Sequence, residues 1–393
     1  MQRRFELSAL SLLVVVALLA ACGQPPIHHR PPPPRDGYEH TSVSVGMQHN
    51  LVLQDDGTVV AWGRNDYGQL GDGTKEDRST PVAVMGLTDV ISVHSGYYNS
   101  YALLADGTVW AWGLNNLGQL GIGTTTEQLT PAQLPGLSDV VQMHASVAHA
   151  LAVTADGSVF GWGANFAGQL ADGTAEYRTT PAKAVDLANI VRVFAGTNHT
   201  SLALEQDGTM LMWGRHPGFG PVGSSSVPTQ VPDVPGIVDF AAGGQIVSNV
   251  DVHHVIALDE NGEVWLWGNS SYVLQEDGTY EFTPSLVPSF GSVVDVDSNY
   301  HGLHLALLAD GTAWSWGSGY LGDGETYSSR TTPEQIASLE DIRSVHPGGT
   351  HTLVADESGS LWAWGQNSLG QLGDGTTETR YAPVAVTVLQ SAP

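Results

Sequence analysis

Cysteine occurs once in 393 residues, at Cys22, so no disulfide can form within the chain. Basic residues are also scarce: 14 lysines and arginines face 40 acidic residues, a net charge of −26. Such a surface repels phosphate backbones and removes the main source of nucleic-acid affinity. Charged residues make up only 14% of the chain while glycine occurs 47 times, which suits a turn-rich all-β protein and excludes a helical or disordered one. Long apolar runs are missing too: the run at residues 9–21 is shorter than the ~20 residues a spanning helix needs. The chain has no nucleophile elbow, no phosphate-binding glycine loop and no His-Glu-x-x-His, and no pair of carboxylates stands out among so many surface acids.

The short apolar run has a use of its own. Arg3 and Arg4 precede it and small residues end it, the pattern of an export signal over residues 1–21. Leu19-Ala20-Ala21-Cys22 resembles the lipobox of bacterial lipoproteins, which implies acylation of Cys22 with palmitate-type chains and leaves no thiol for catalysis. Residues 22–40 contain four consecutive prolines and read as a polyproline spacer in which His28 and His29 are solvated. Removing Arg3, Arg4 and Glu6 with the signal leaves 12 basic and 39 acidic residues, or −27. The expected location is the cell envelope, at the outer membrane or cell surface, with the membrane met through the lipid anchor only.

Residues 41–393 are tiled. Trp-Gly recurs at Trp62, Trp112, Trp162, Trp213, Trp267, Trp316 and Trp364, making seven units. Five residues before each Trp stands a glycine, preceded by Asp in five units, by Asn261 in one and by Ser358 in one. Asp-Gly between apolar runs is a strong hairpin signal, because the turn requires positive φ. The strand that follows is apolar on both faces, as in Val109-Trp110-Ala111-Trp112, so it must be covered on both sides. All 11 tryptophans fall on this strand and are assigned to the core. Small sheets stacked face to face around an axis describe a β-propeller of seven blades. No polar capping units of a solenoid are visible. "HTSVSVG" at one end and "APVAVTVLQ" at the other predict closure by N- and C-terminal strands that complete one blade together.

The unit "DGTVVAWGRNDYGQLGDGT" and its copies resemble the repeat of the regulator of chromosome condensation family. Repeats 1, 2, 3 and 7 carry the pattern most fully, whereas repeats 4, 5 and 6 depart from it after the Trp-Gly pair. The resemblance implies a seven-bladed propeller. It also implies two kinds of activity. One is guanine-nucleotide exchange on a small GTPase with chromatin docking, as in the family's best-known member. The other is binding of an extracytoplasmic protein, as in secreted bacterial propellers.

Several residues invite a chemical reading. His49, His149, His199, His254 and His351 recur once per unit, with Asn99 and a shifted His304 completing the set, which points to a structural role met by a local backbone hydrogen bond. His94, His144 and His346 break the tiling, where other units have Ser44, Phe194 and Asp297. The resemblance places their strands beside the central channel, so they are the candidate ligand-facing residues for a metal or an anionic ligand, against a polar channel filled with water, and the basis of an alternative reading as a hydrolase or lyase. Asp72, Asp172 and Asp374 lie in Gly-Asp-Gly-Thr or Ala-Asp-Gly-Thr turns, and one acid per loop supplies too few oxygens for calcium. No metal, cofactor or catalytic residue is assigned.

One addition interrupts the tiling. Residues 245–253 separate Gly244 from His254 and lengthen a hairpin or loop on one rim. Gln245, Ile246, Val247, Val250 and Val252 form the candidate partner-binding loop, since its aliphatic content is high for an exposed segment, the alternative being that it folds back onto blade 5. The preferred expectation is a monomeric, lipid-anchored, non-enzymatic scaffold that binds an extracytoplasmic protein partner and no nucleic acid.

Overall fold

The computed structural model describes residues 42–216, 223–234, 236–247, 250–268 and 284–387. The described residues form seven antiparallel four-stranded sheets, each from four consecutive strands. Blade 1 runs through Val43–Val45, His49–Leu53, Val59–Gly63 and Arg78–Ala83, and blade 2 through Val90–Ser95, Asn99–Leu104, Val109–Gly113 and Gln128–Gln133. Blades 3 to 7 begin with the strands Val140–Ala145, Ile190–Ala195, Ile237–Val247, Val293–Ser298 and Ile342–Pro347. The first strand of every blade lines the central cavity.

The third strand is apolar on both faces because each blade is wedged between two others. Trp62, Trp112, Trp162, Trp213, Trp267, Trp316 and Trp364 are fully buried, and each joins a core. Trp112 of blade 2 packs with Leu51, Ala61 and Leu70 of blade 1, and Trp62 of blade 1 packs with Leu353 and Leu372 of blade 7. Trp110, Trp265, Trp314 and Trp362, two residues earlier, are only partly buried and pack against the same cores from the edge. Burying a side chain of this size stabilises by roughly 1.5–3 kcal/mol, so seven of them dominate the cohesion between blades.

The Asp-Gly turns adopt the expected geometry. Gly57 sits at φ +78°, and Asp56 Oδ1 accepts the Thr58 N–H at 3.0 Å. Gly63, after the Trp, has a second reason to be glycine: a Cβ there would lie 2.4 Å from the Gln48 carbonyl oxygen, besides needing φ +102°.

Ring closure differs from the sequence expectation. Val43–Val45 pairs with His49–Leu53 of its own blade, and Arg380–Ala385 pairs with Leu361–Gly365 of blade 7, so the terminal strands do not share a sheet. One repeat supplies all four strands of one blade, which leaves no strand position open for the other terminus. The seam between blades 7 and 1 is instead packed and hydrogen-bonded like the other seams, with Gly349 N–H donating to the Gly46 carbonyl at 3.1 Å.

Candidate functional site

The repeated histidines meet the neighbouring blade rather than their own backbone. His49 Nε2 meets Ser100 Oγ at 3.0 Å, and Ser100 Oγ in turn donates to the Gln69 carbonyl at 2.7 Å. Trp112 Nε1 donates to that same carbonyl at 2.9 Å. Because the serine proton goes to Gln69, the imidazole is the donor toward the serine. The unit is therefore a stitch from a histidine and a Gln carbonyl of one blade to a hydroxyl and an indole of the next. It recurs between blades 3 and 4 with His149, Ser201, Gln169 and Trp213. It recurs between blades 7 and 1 with His351, Asn50, Gln371 and Trp62.

Where the histidine is missing, its partner is missing too. Asn99 replaces it in blade 2, and the residue facing Trp162 in blade 3 is Ala150; there Tyr101 Oη donates to the Gln119 carbonyl at 2.5 Å instead. Between blades 5 and 6 a variant forms, in which Ser298 Oγ lies 2.7 Å from His254 Nε2 and 2.9 Å from His304 Nδ1. His199 turns elsewhere, meeting the Gln169 side chain at 2.8 Å. Burial lowers His49, His149 and His351 to about 3 and His254 to about 4, so all remain neutral. The expectation of a structural role holds, but the bonding partner is the next blade.

The outer loops also explain their acids. Asp72 Oδ1 accepts Thr74 N–H at 3.0 Å and Asn65 Nδ2–H at 3.1 Å, while Oδ2 pairs with Arg78 at 2.8 Å. Asp172 with Arg178, and Asp374 with Arg380, repeat the arrangement. Burial raises Asp72 somewhat, but hydrogen bonds from Thr74 and Arg78 hold it below the usual carboxylate range. The carboxylate faces an arginine, which occupies the place a cation would need.

The channel is where the tiling is relaxed. A cavity of about 500 Å³ lies at the ring centre, within the range of small-molecule sites. His94, His144 and His346 all line it, on an arc through blades 7, 1, 2 and 3, as the resemblance implies. The His94 and His144 rings are 6.3 Å apart. His346 Nε2 lies 2.9 Å from Ser344 Oγ, and His94 Nε2 lies 2.9 Å from Ser92 Oγ. His144 Nδ1 donates to the Ala195 carbonyl at 3.1 Å, and its ring stacks on Phe194 with centroids 3.9 Å apart. Burial lowers His144 to about 3 and His346 to about 4. Among the described residues no group of three His, Cys, Asp or Glu side chains is placed to hold a metal.

Three channel features escaped the sequence reading. Arg192 and Asp239 form an ion pair between blades 4 and 5, and Asp239 also accepts the Phe240 N–H at 2.8 Å. Asp297 of blade 6 is pushed up to about 8 by burial and by the Asp239 charge, against the Ser298 N–H and Arg192. Tyr97 of blade 2 and Tyr300 of blade 6 meet across the cavity mouth, with ring centroids 5.6 Å apart. Aligning the first strands would have exposed Arg192 and Asp239, which stand where Ser92 and Gln142 stand in other blades.

The inserted segment is a hairpin extension. Ile237–Val247 pairs with Val250–Asp259 through Gln245↔Val252 and Val247↔Val250, making both strands about twice the usual length here. Gly243 pairs with His254, which confirms the alignment across the insertion. The side chains of Gln245, Ile246, Val247, Val250 and Val252, and all of Cys22, His28 and His29, lie outside the described residues.

Seven blades with one repeat each, three of their seams stitched by a histidine, a polar side chain, a glutamine carbonyl and an indole, define a propeller of the chromosome-condensation-regulator kind. Residues 21–251 match the RCC1-like domain, and residues 310–355 and 358–393 match the regulator of chromosome condensation (RCC1) repeat. The chain belongs to that family. It is similar to the RCC1 domain-containing protein RUG3, mitochondrial, of Arabidopsis thaliana, at 34% identity over 49% of this chain and 45% of that protein. It is also similar to the human probable E3 ubiquitin-protein ligase HERC6, at 35% identity over 35% of this chain and 14% of that protein. The chain thus spans less than half the length of these curated relatives. Yeast RCC1 (Prp20), solved bound to Kap60, superposes with a TM-score of 0.68 at 24% identity over 80% of each chain, which is a likeness of fold.

Proposed function

We propose that the chain is a lipid-anchored extracytoplasmic propeller that binds a protein partner through the face carrying the extended hairpin of blade 5. The observation that carries the reading is how the polar residues are spent. The repeated histidines, glutamines, asparagines and acids are consumed in stitches between blades and in turns. The one departure by addition is a two-stranded projection whose sequence is aliphatic. Support comes from yeast Prp20, a propeller of similar fold, which was solved bound to Kap60 and has binding properties to Gsp1p and histones. A net charge of −26 favours a partner with a basic face.

Exchange-factor-like activity is the second reading, favoured by family membership. Export would separate the chain from cytoplasmic GTPases, so the anchor decides between the two. Metabolic labelling with palmitate should mark the full chain and not Cys22→Ser, and the tagged chain should capture a cross-linked protein from envelope extracts at low salt. An unlabelled chain found in the cytoplasm would overturn the anchored reading in favour of the second.

A further inference from the structure

The channel is more than the gap a ring of blades leaves. Its level two residues before each first-strand turn carries Ser44, His94, His144, Phe194, Ala241, Asp297 and His346, a set unlike the uniform stitches around it. His144 gives its Nδ1–H to Ala195, so its Nε2 presents a lone pair and has no protein partner. Asp297 uses Oδ1 to accept the Ser298 N–H at 2.7 Å, leaving Oδ2 for the cavity. His346 binds Ser344 through Nε2, leaving Nδ1. Three blades thus each bring a side chain with one uncommitted hydrogen-bonding atom to the lining of a common space of about 500 Å³.

The charge state of this space selects its occupant. The imidazoles of His144 and His346 are neutral, and the Arg192 guanidinium is committed to Asp239 and lies over the Phe240 ring. Beside His144 and His346 a charged guest would gain no free counter-charge, since Arg343 and Glu357 are exposed at the edge of the lining, and burying an unpaired ion is costly. An uncharged guest rich in donors and acceptors loses little, because each of its hydroxyls can both give and take a hydrogen bond. Above the space, Tyr97 packs at 4.5 Å on Tyr98 and at 5.6 Å on Tyr300, and Tyr98 is held by Arg64 Nη1–H donating to its Oη at 3.0 Å. The two tyrosines meet edge to face at one end of the space.

We propose that this cavity binds a small uncharged polyhydroxylated molecule, of the sugar or cyclitol class, held by His144, Asp297 and His346 beside the Tyr97–Tyr300 pair. This site is independent of the protein-binding hairpin. Protonated Asp297 is the donor of the set, because its carboxyl is held up to about 8. Asp295, Asp239, Arg192 and His346 share its side of the cavity. Arg343 and Glu357 stand at the cavity lining beyond them, and His94 and His144 face from the opposite arc.

The test titrates the full chain with D-glucose, D-galactose, trehalose and myo-inositol, and with glucose 6-phosphate and glucosamine as charged comparators, using calorimetry and saturation-transfer NMR. Saturable binding of at least one neutral probe, with none for the comparators, is expected. Affinity should fall about tenfold as the pH rises through 8, and Asp297→Asn, which keeps an N–H donor, should abolish that fall. His144→Phe should weaken the same probe about tenfold or more, with tryptophan near-ultraviolet circular dichroism showing the ring intact. Failure of all four neutral probes, equal binding of the comparators, or affinity indifferent to Asp297→Asn and His144→Phe together would overturn the proposal.

Discussion

His351 of the last blade lies 2.7 Å from Asn50 of the first, Nε2 to Oδ1, while Asn50 Nδ2 donates to the Gln371 carbonyl at 2.8 Å. One side chain thus satisfies a histidine and a loop carbonyl across the point where the ring must close. Its register position, facing Trp62, is that of Ser100 and Ser201 at two other seams.

Asn50→Ala should therefore open the ring at its seam. It leaves His351 Nε2 unpaired, at about 1–3 kcal/mol, and the Gln371 carbonyl with only the Trp62 indole N–H. Asn50→Ser should recover most of that loss, because serine fills both roles at the other seams. Equilibrium denaturation of the three proteins measures the series. An alanine variant as stable as the parent would show that closure rests on packing alone.

Acid should loosen the whole ring. His49, His144, His149, His254, His304, His346 and His351 are all lowered by burial, so the unfolded chain takes up protons near 6.5 that the folded chain refuses. Their contribution is whole above about 6.5 and is lost progressively as pH falls toward 3. Asp297 acts in the opposite sense, contributing at low pH and losing its contribution as pH rises through about 8. Seven groups outweigh one, so denaturation midpoints should drop between about pH 6.5 and 4. Asp297→Asn should steepen the drop, and a flat profile would contradict the neutral-histidine assignment.

Calcium should not matter. Asp172 is engaged by Asn165 Nδ2–H at 2.9 Å, Thr174 N–H at 3.0 Å and Arg178. Added calcium or a chelator should leave the melting temperature unchanged. Asp172→Ala should lower it, since the Thr174 N–H loses its acceptor and the Asn165 amide keeps only the Thr174 carbonyl and hydroxyl, at a cost of about 1–3 kcal/mol. A calcium-dependent rise in the parent that vanishes in the variant would reinstate a metal at this turn.

Much of this architecture is legible in the sequence, for a physical reason. A strand such as Val109-Trp110-Ala111-Trp112 can be apolar on both faces only when wedged between sheets, and seven copies at a regular period leave a ring as the economical arrangement. The channel arc of His94, His144 and His346 was legible only through the family resemblance, which places their strands beside the channel. The stitch was not legible, because His49 and Ser100 are partners from different repeats, and no local pattern joins residues in adjacent blades. Asn99 illustrates the point: it looks like a lapse in its own repeat and makes sense only beside Ala150 in the next. The Arg192–Asp239 pair and the raised Asp297 depend on side chains meeting across the channel, which a single strand's sequence does not reveal. Closure was misread because the first and last strands each look unpaired in sequence, yet each finds its partner within its own blade.

The central claim, that the blade 5 hairpin grips a partner without holding up the ring, is tested most directly by pairing stability with capture. Ile246→Ser combined with Val250→Ser should leave the melting temperature of the full chain nearly unchanged and weaken capture of the cross-linked envelope protein sharply, since each aliphatic side chain buried against a partner contributes about 1.5–3 kcal/mol. Trp267→Ala, in the core of the same blade, should lower the melting temperature by the several degrees that a loss of about 3–5 kcal/mol implies. A double variant that melts as early as Trp267→Ala, or that captures the partner as well as the parent, would contradict the account.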